Sequence, residues 1–175
     1  MIRAALPLVL LGLAACSDRS GTDGSEGDFA SRVGAGTDSD AAVPGSAASG
    51  ATTATKGPPP PDADVFAMEK LGDISGVNLG PRAGGCTFSD QGTEMLIAAA
   101  PADRALPGKG VVRIGGKLIE LDTPPGGVEA VKAGTSFAGE GFSVRVQPSG
   151  KGKGTMTIAN AGGRTKVVNG DWVCA

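Results

Sequence analysis

Histidine and tyrosine are absent from this chain, and tryptophan occurs once. Without an imidazole there is no Ser–His or Cys–His couple, no histidine proton shuttle and none of the commonest metal sites. Aromatic residues make up only 3 % of 175 residues, so any core has to be built mainly from aliphatic side chains. An excess of one charge is also missing. A net charge of −2 offers no basic field to nucleic acid, and no nucleic-acid partner is expected. The apolar run at 4–13 is far shorter than the about 20 residues that a membrane-spanning helix needs. What the chain has in abundance is glycine, 30 residues, with 12 prolines. That composition predicts many turns and short elements.

The apolar run at 4–13 follows a single cation, Arg3, and ends in Leu13-Ala14-Ala15-Cys16. A positive start, an apolar stretch and small residues before a cut are the parts of an export signal. Pro7 inside the run argues against a stable membrane helix. The motif at 13–16 resembles the lipobox of bacterial lipoproteins. The resemblance implies removal of residues 1–15, a diacylglycerol on the Cys16 sulfur and an acyl chain such as palmitate on the freed amine. One acyl chain holds a protein at a membrane only marginally, whereas several hold it stably. In that family a serine after the cysteine, here Ser17, implies transfer to the outer membrane, and an aspartate there implies inner-membrane retention. Asp18 lies one place beyond that position. The expected location is the cell envelope, lipid-anchored at the outer membrane and facing the periplasm.

Behind the anchor the composition changes. Residues 17–64 hold eight acids and three bases; residues 65–175 hold ten acids and twelve bases. In 17–61 the only sizeable apolar side chains are Phe29, Val33 and Val43. Such a segment buries too little to offset its ordering entropy, so a disordered linker is predicted at 16–61. Its reach is roughly 35–40 Å, and it ends in the stiff tract Pro58-Pro59-Pro60-Pro61. The folded domain is then expected at 62–175. With Cys16 taken by lipid, Cys86 and Cys174 remain as an even pair in an exported chain, and a disulfide is predicted. In the loop-entropy account it contributes roughly 4 kcal/mol. The two thiols alone make a poor zinc site, and no cofactor is expected.

Within the domain, Asp62-Ala63-Asp64 reads as an N-cap for one short helix at 65–71, ended by Gly72. Residues 74–79 read either as a strand or as an extended arm. From residue 85 onward short apolar runs alternate with turn residues. Strand-like segments lie at 86–88, 93–99, 111–114, 117–121, 136–138, 142–146, 155–158 and 164–168, the last turning or bulging at 169–170 into 171–174. Gly115-Gly116 is a strong hairpin signal, because both residues accept positive φ. Pro124-Pro125-Gly126-Gly127 breaks the chain before a helical turn at 128–133, and Asn169-Gly170 reads as a turn or bulge. Phe142, Val144 and Val146 alternate with Ser143, Arg145 and Gln147, which marks a sheet with one wet face. The fold class is all-β: a small antiparallel barrel or sandwich of seven or eight short strands. The predicted core is Phe88, Leu96, Val112, Ile114, Leu118, Leu121, Phe137, Phe142, Val144, Val146, Ile158, Val167 and Trp172.

Residues that carry chemistry are few. Glu120 and Asp122 share one face of a strand, where paired carboxylates are either acid–base groups or a solvated face. Lys151 and Lys153, in a glycine loop, are candidates for an anionic glycan or lipid headgroup. Trp172 is either a stacking platform for a sugar or, beside a cysteine, part of the core. A tethered β domain with cysteines near both ends is loosely similar to the membrane-bound inhibitors of C-type lysozyme. That family relies on a Ser-Gly-x-x-Tyr loop, and this chain has no tyrosine, so no inhibitory residue carries over. The expected function is non-catalytic: an envelope lipoprotein whose β domain binds a protein or a cell-wall glycan. Inhibition of a secreted hydrolase such as lysozyme is the alternative.

Overall fold

A computed structural model of the chain describes residues 53–175. The signal, Cys16 and the linker as far as residue 52 lie outside the described residues. Eight antiparallel strands form a closed up-and-down barrel. They are β1 (Gly84–Asp90), β2 (Thr93–Ala100), β3 (Pro107–Ile114), β4 (Lys117–Pro125), β5 (Ser136–Gly139), β6 (Phe142–Gly150), β7 (Lys153–Asn160) and β8 (Thr165–Cys174). One helix, α1 (Gly127–Ala133), lies between β4 and β5. Each strand pairs with the next, and β8 returns to β1. Gly115 and Gly116, at φ 56° and 75°, make the two-residue β3–β4 turn that their sequence predicts.

Period-two alternation sends one set of side chains inward. Phe88, Leu96, Val112, Leu121, Phe137, Val144 and Ile158 fill the interior and are fully buried. Both ends of this core are closed. Val128 and Val131 of α1 join it at the end where β1 starts and β2 finishes. Phe66 and Met68 join it at the opposite end, where Lys166 donates to the Phe66 carbonyl and Arg164 lies over the Phe66 ring.

The barrel closes on a covalent bond. Cys86 and Cys174 face each other across β1 and β8 with Cα atoms 4.0 Å apart, and their sulfurs are joined. The bridge ties the opening strand to the closing one across 88 residues of sequence. The other seam is thin: β4 pairs with β5 only through Asp122 and Ala138.

Four expectations are corrected. Residues 65–71 are not a helix; they form a turn and then an extended stretch in which Glu69 pairs with Arg113. Here tertiary contacts outweigh local propensity, because Phe66 and Met68 cap the barrel and Leu71 turns onto its outer wall. The ordered body does not begin at residue 62. Thr55 bridges to Ile119, so part of the predicted linker at 53–61 belongs to the domain. Asn169-Gly170 is neither a turn nor a bulge, since β8 runs through it in unbroken register with β7. Gly170 is needed because the Ser89 carbonyl and the Phe88 ring would lie 2.2 and 2.8 Å from any Cβ placed there. Val167 is not core: it is 58 % exposed on the outer face of β8.

Leu118 also points outward, yet it is fully buried. Residues 53–83 form a strap across the outside of β2, β3 and β4. Leu71, Ile74, Val77 and Leu79 of the strap pack on Ile97, Ala99, Val111 and Leu118 in a second apolar cluster. Each such side chain gains about 1.5–3 kcal/mol over its exposed state. Of the two readings of 74–79, the arm is the one that forms.

Candidate functional site

The closed ends and filled interior leave the outer wall as the surface available for recognition. On this wall the polar side chains of β3 and β4 meet the strap. Lys109 stands opposite Asp122 in the β3–β4 register and reaches diagonally, two residues along β4, to Glu120 in an ion pair of 2.5 Å. Lys56, from the strap, donates to both carboxylate oxygens of Asp122 at 2.8 and 3.1 Å and lies 3.9 Å from Glu120. The hydrogen bond to Asp122, then its negative charge, hold the Lys56 pKa above its ordinary value; Glu120 adds to the rise, and desolvation opposes it. Glu120 and Asp122 do share a face, as their spacing predicts. Each faces a lysine, and the contacts run in alternating charge from Asp122 to Lys56 to Glu120 to Lys109.

Beside this cluster the strap's backbone adds to the barrel. The Thr55 N–H donates to the Leu118 carbonyl, and the Glu120 N–H donates to the Thr55 carbonyl, both at 3.1 Å. This is a one-residue parallel strand on the β4 edge, where β5 has already turned away. Further along, Arg113 fastens the strap. Its Nε donates to the Leu71 carbonyl at 2.9 Å, and Nη1 donates to the Gly116 carbonyl at 2.8 Å. Glu69 in turn accepts from the Gly116 N–H.

No protein family, curated protein or solved structure matches this chain. The site therefore rests on its own geometry.

The structure separates the three residues proposed for ligand contact. Trp172 is 4 % exposed and faces the barrel interior, across from Phe88. It has no free ring face for a sugar, which corrects the stacking alternative. Its Nε1 is the one buried side-chain polar atom without a partner among the described residues. Lys151 sits at the tip of the β6–β7 turn with φ 54° and is exposed. Lys153 is two residues on and is ion-paired with Asp171 of β8, which offsets its charge toward an anion. The lysine pair is thus one exposed cation and one neutralised one, and Trp172 is not part of the same surface.

Sequence reasoning missed Lys56, Lys109 and Arg113. Lys56 lay in the predicted linker, and no periodic pattern marks it. Arg113 carried a signal, as a charged residue alternating with Val112 and Ile114, but alternation reports only that it faces outward. Among the described residues no three His, Cys, Asp or Glu side chains gather as a metal-binding set.

Proposed function

We propose that the protein is a non-catalytic lipoprotein of a bacterial envelope, acylated on Cys16 and held at the outer membrane. Its barrel then faces the periplasm and binds an envelope protein or a cell-wall glycan through its outer wall. The observation that carries the anchor is the motif Leu13-Ala14-Ala15-Cys16 behind a short apolar run. Support for the mode of binding comes from the barrel, whose interior is occupied by its own side chains and whose ends are covered. The Cys86–Cys174 bridge suits an oxidising compartment.

Two measurements test this reading. Mass spectrometry of the natively expressed protein should show the added acyl mass on a chain beginning at Cys16, and Cys16→Ser should abolish it. Crosslinking in intact cells should then join the barrel to an envelope protein or to peptidoglycan. An unmodified, freely diffusing parent protein would refute the anchor. Turnover of a substrate that is lost in Glu120→Gln would refute the non-catalytic role.

A further inference from the structure

We propose that the β4 edge at residues 118–122 is a docking site for an extended protein segment bearing a lysine or arginine. Residues 54–56 of this chain occupy it in cis as a displaceable stand-in. The inference rests on reading the barrel as a binding module, and it names the chemistry of the partner; it does not depend on the lipid anchor.

A peptide already lies on this edge. The two main-chain bonds between Thr55 and the Leu118 and Glu120 backbone are those of strand addition, the mode by which sheet edges take up extended ligands. The side chains around them define what is selected. Ala54 is half-buried against the outer apolar cluster, so a small residue fits there. Thr55 points to water. Lys56 meets Asp122, with Glu120 behind it. The pattern is small residue, free position, cation.

The stand-in is held far less firmly than the rest of the strap. Leu71, Ile74, Val77 and Leu79 are at most 2 % exposed. The Lys56 side chain is 60 % exposed, and an exposed ion pair of this kind adds little to stability. Gly57 follows at once, with φ 152° and open space where a Cβ would stand, so the backbone can swing there. Pro60 can stay against Gly115 while residues 54–56 lift away. Lifting them frees the Leu118 carbonyl, the Glu120 N–H and the Asp122 carboxylate together. β5 offers no replacement, because its one pair with β4 lies at Asp122. Glu120 keeps Lys109. An outside segment with the same pattern restores all three contacts, and its apparent affinity falls in proportion to the fraction of closed cis edge.

The test uses the full chain and the peptide Ala-Thr-Thr-Ala-Thr-Lys-Gly, which copies residues 51–57. The variant Thr55→Pro/Lys56→Glu removes the cis N–H donor and repels Asp122, which opens the edge. Titration followed by amide chemical shifts should show the peptide binding this variant about tenfold more tightly than the parent chain. The shifts should centre on Leu118 and Glu120, and a peptide with glutamate in place of lysine should lose the effect. An unchanged near-ultraviolet signal from Trp172 shows that the barrel is intact; if it is lost, Lys56→Glu alone serves as the opened form. Equal binding to parent and variant, binding without shifts at 118–120, or indifference to the lysine overturns the proposal. So does a parent-chain dimer that Thr55→Pro dissolves and the peptide does not enter, since the occupant would then be a second copy. Failure here leaves Cys16 acylation and in-cell crosslinking to a partner unaffected, so it is distinguishable from failure of the envelope-binding role.

Discussion

Leu118 and Val167 both face away from the barrel axis, yet one is fully buried and the other is 58 % exposed. The difference is the strap. On the β2–β4 side, outward apolar residues are covered by Leu71, Ile74, Val77 and Leu79. On the β6–β8 side the wall is bare, and its outward positions are largely polar, with Val167 and Val173 left in water. The two seams differ in the same sense. The bare side is closed by four residue pairs and a disulfide, and the covered side by one pair, with Thr55 laid along the gap. A closed barrel can thus be secured covalently on one side and by a layer of chain on the other.

Removing the covalent closure should have the largest effect. For a loop of this size, Cys86→Ala/Cys174→Ala should lower stability by about 4–5 kcal/mol, read by urea or thermal unfolding. A drop below 1 kcal/mol would show that strand pairing alone closes β1 on β8. Next in size is the cover. Leu71→Ala should cost about 3 kcal/mol, within the usual range for a fully buried leucine, although the barrel interior is untouched. Arg113→Ala, which frees the Leu71 and Gly116 carbonyls, should cost about 1–3 kcal/mol, with faster hydrogen exchange in the strap.

Smaller effects follow from pH. The Lys56 pKa is raised, so its pairing with Asp122 is fully present below the ordinary lysine value of 10.5 and is lost as pH rises through the folded value. The Asp73 carboxyl is held low by the Ser75 N–H, so that contact is present above 3.8 and is lost as pH falls through the folded value. Protection of the Glu120 amide should therefore be flat in respect of Lys56 through neutral pH and weaken only in strong base. The smallest effect belongs to the bare wall: Val167→Thr should change stability by less than about 0.5 kcal/mol. A larger loss would mean that this side, too, has a cover.

Much of the barrel was legible because hairpins are local. Glycine pairs such as Gly115-Gly116 mark their own turns, and alternation in β6 marks its own buried face. The strap was not legible, because its anchors lie far away in sequence. Lys56 meets a carboxylate 66 residues on, and Arg113 meets a carbonyl 42 residues back. Residues 65–71 have a helix-like cap and stop signal, but the barrel end and outer wall offer more burial than an isolated two-turn helix can. Val167 shows the same limit: with β8 expected as two segments parted at Asn169-Gly170, nothing local told its inward positions from its outward ones.

By itself the sequence determined the class of the domain, most of its strands, their turns and the pairing of Cys86 with Cys174, because each depends on neighbouring residues or on simple counting. The tertiary structure alone decided that the sheet closes into a barrel, that Leu118 points outward and is buried by the strap while Val167 is surface, and that a lysine from the expected linker sits on Asp122. Those outcomes depend on which distant segment comes to rest on each face, and a period of two names a face without naming its neighbour.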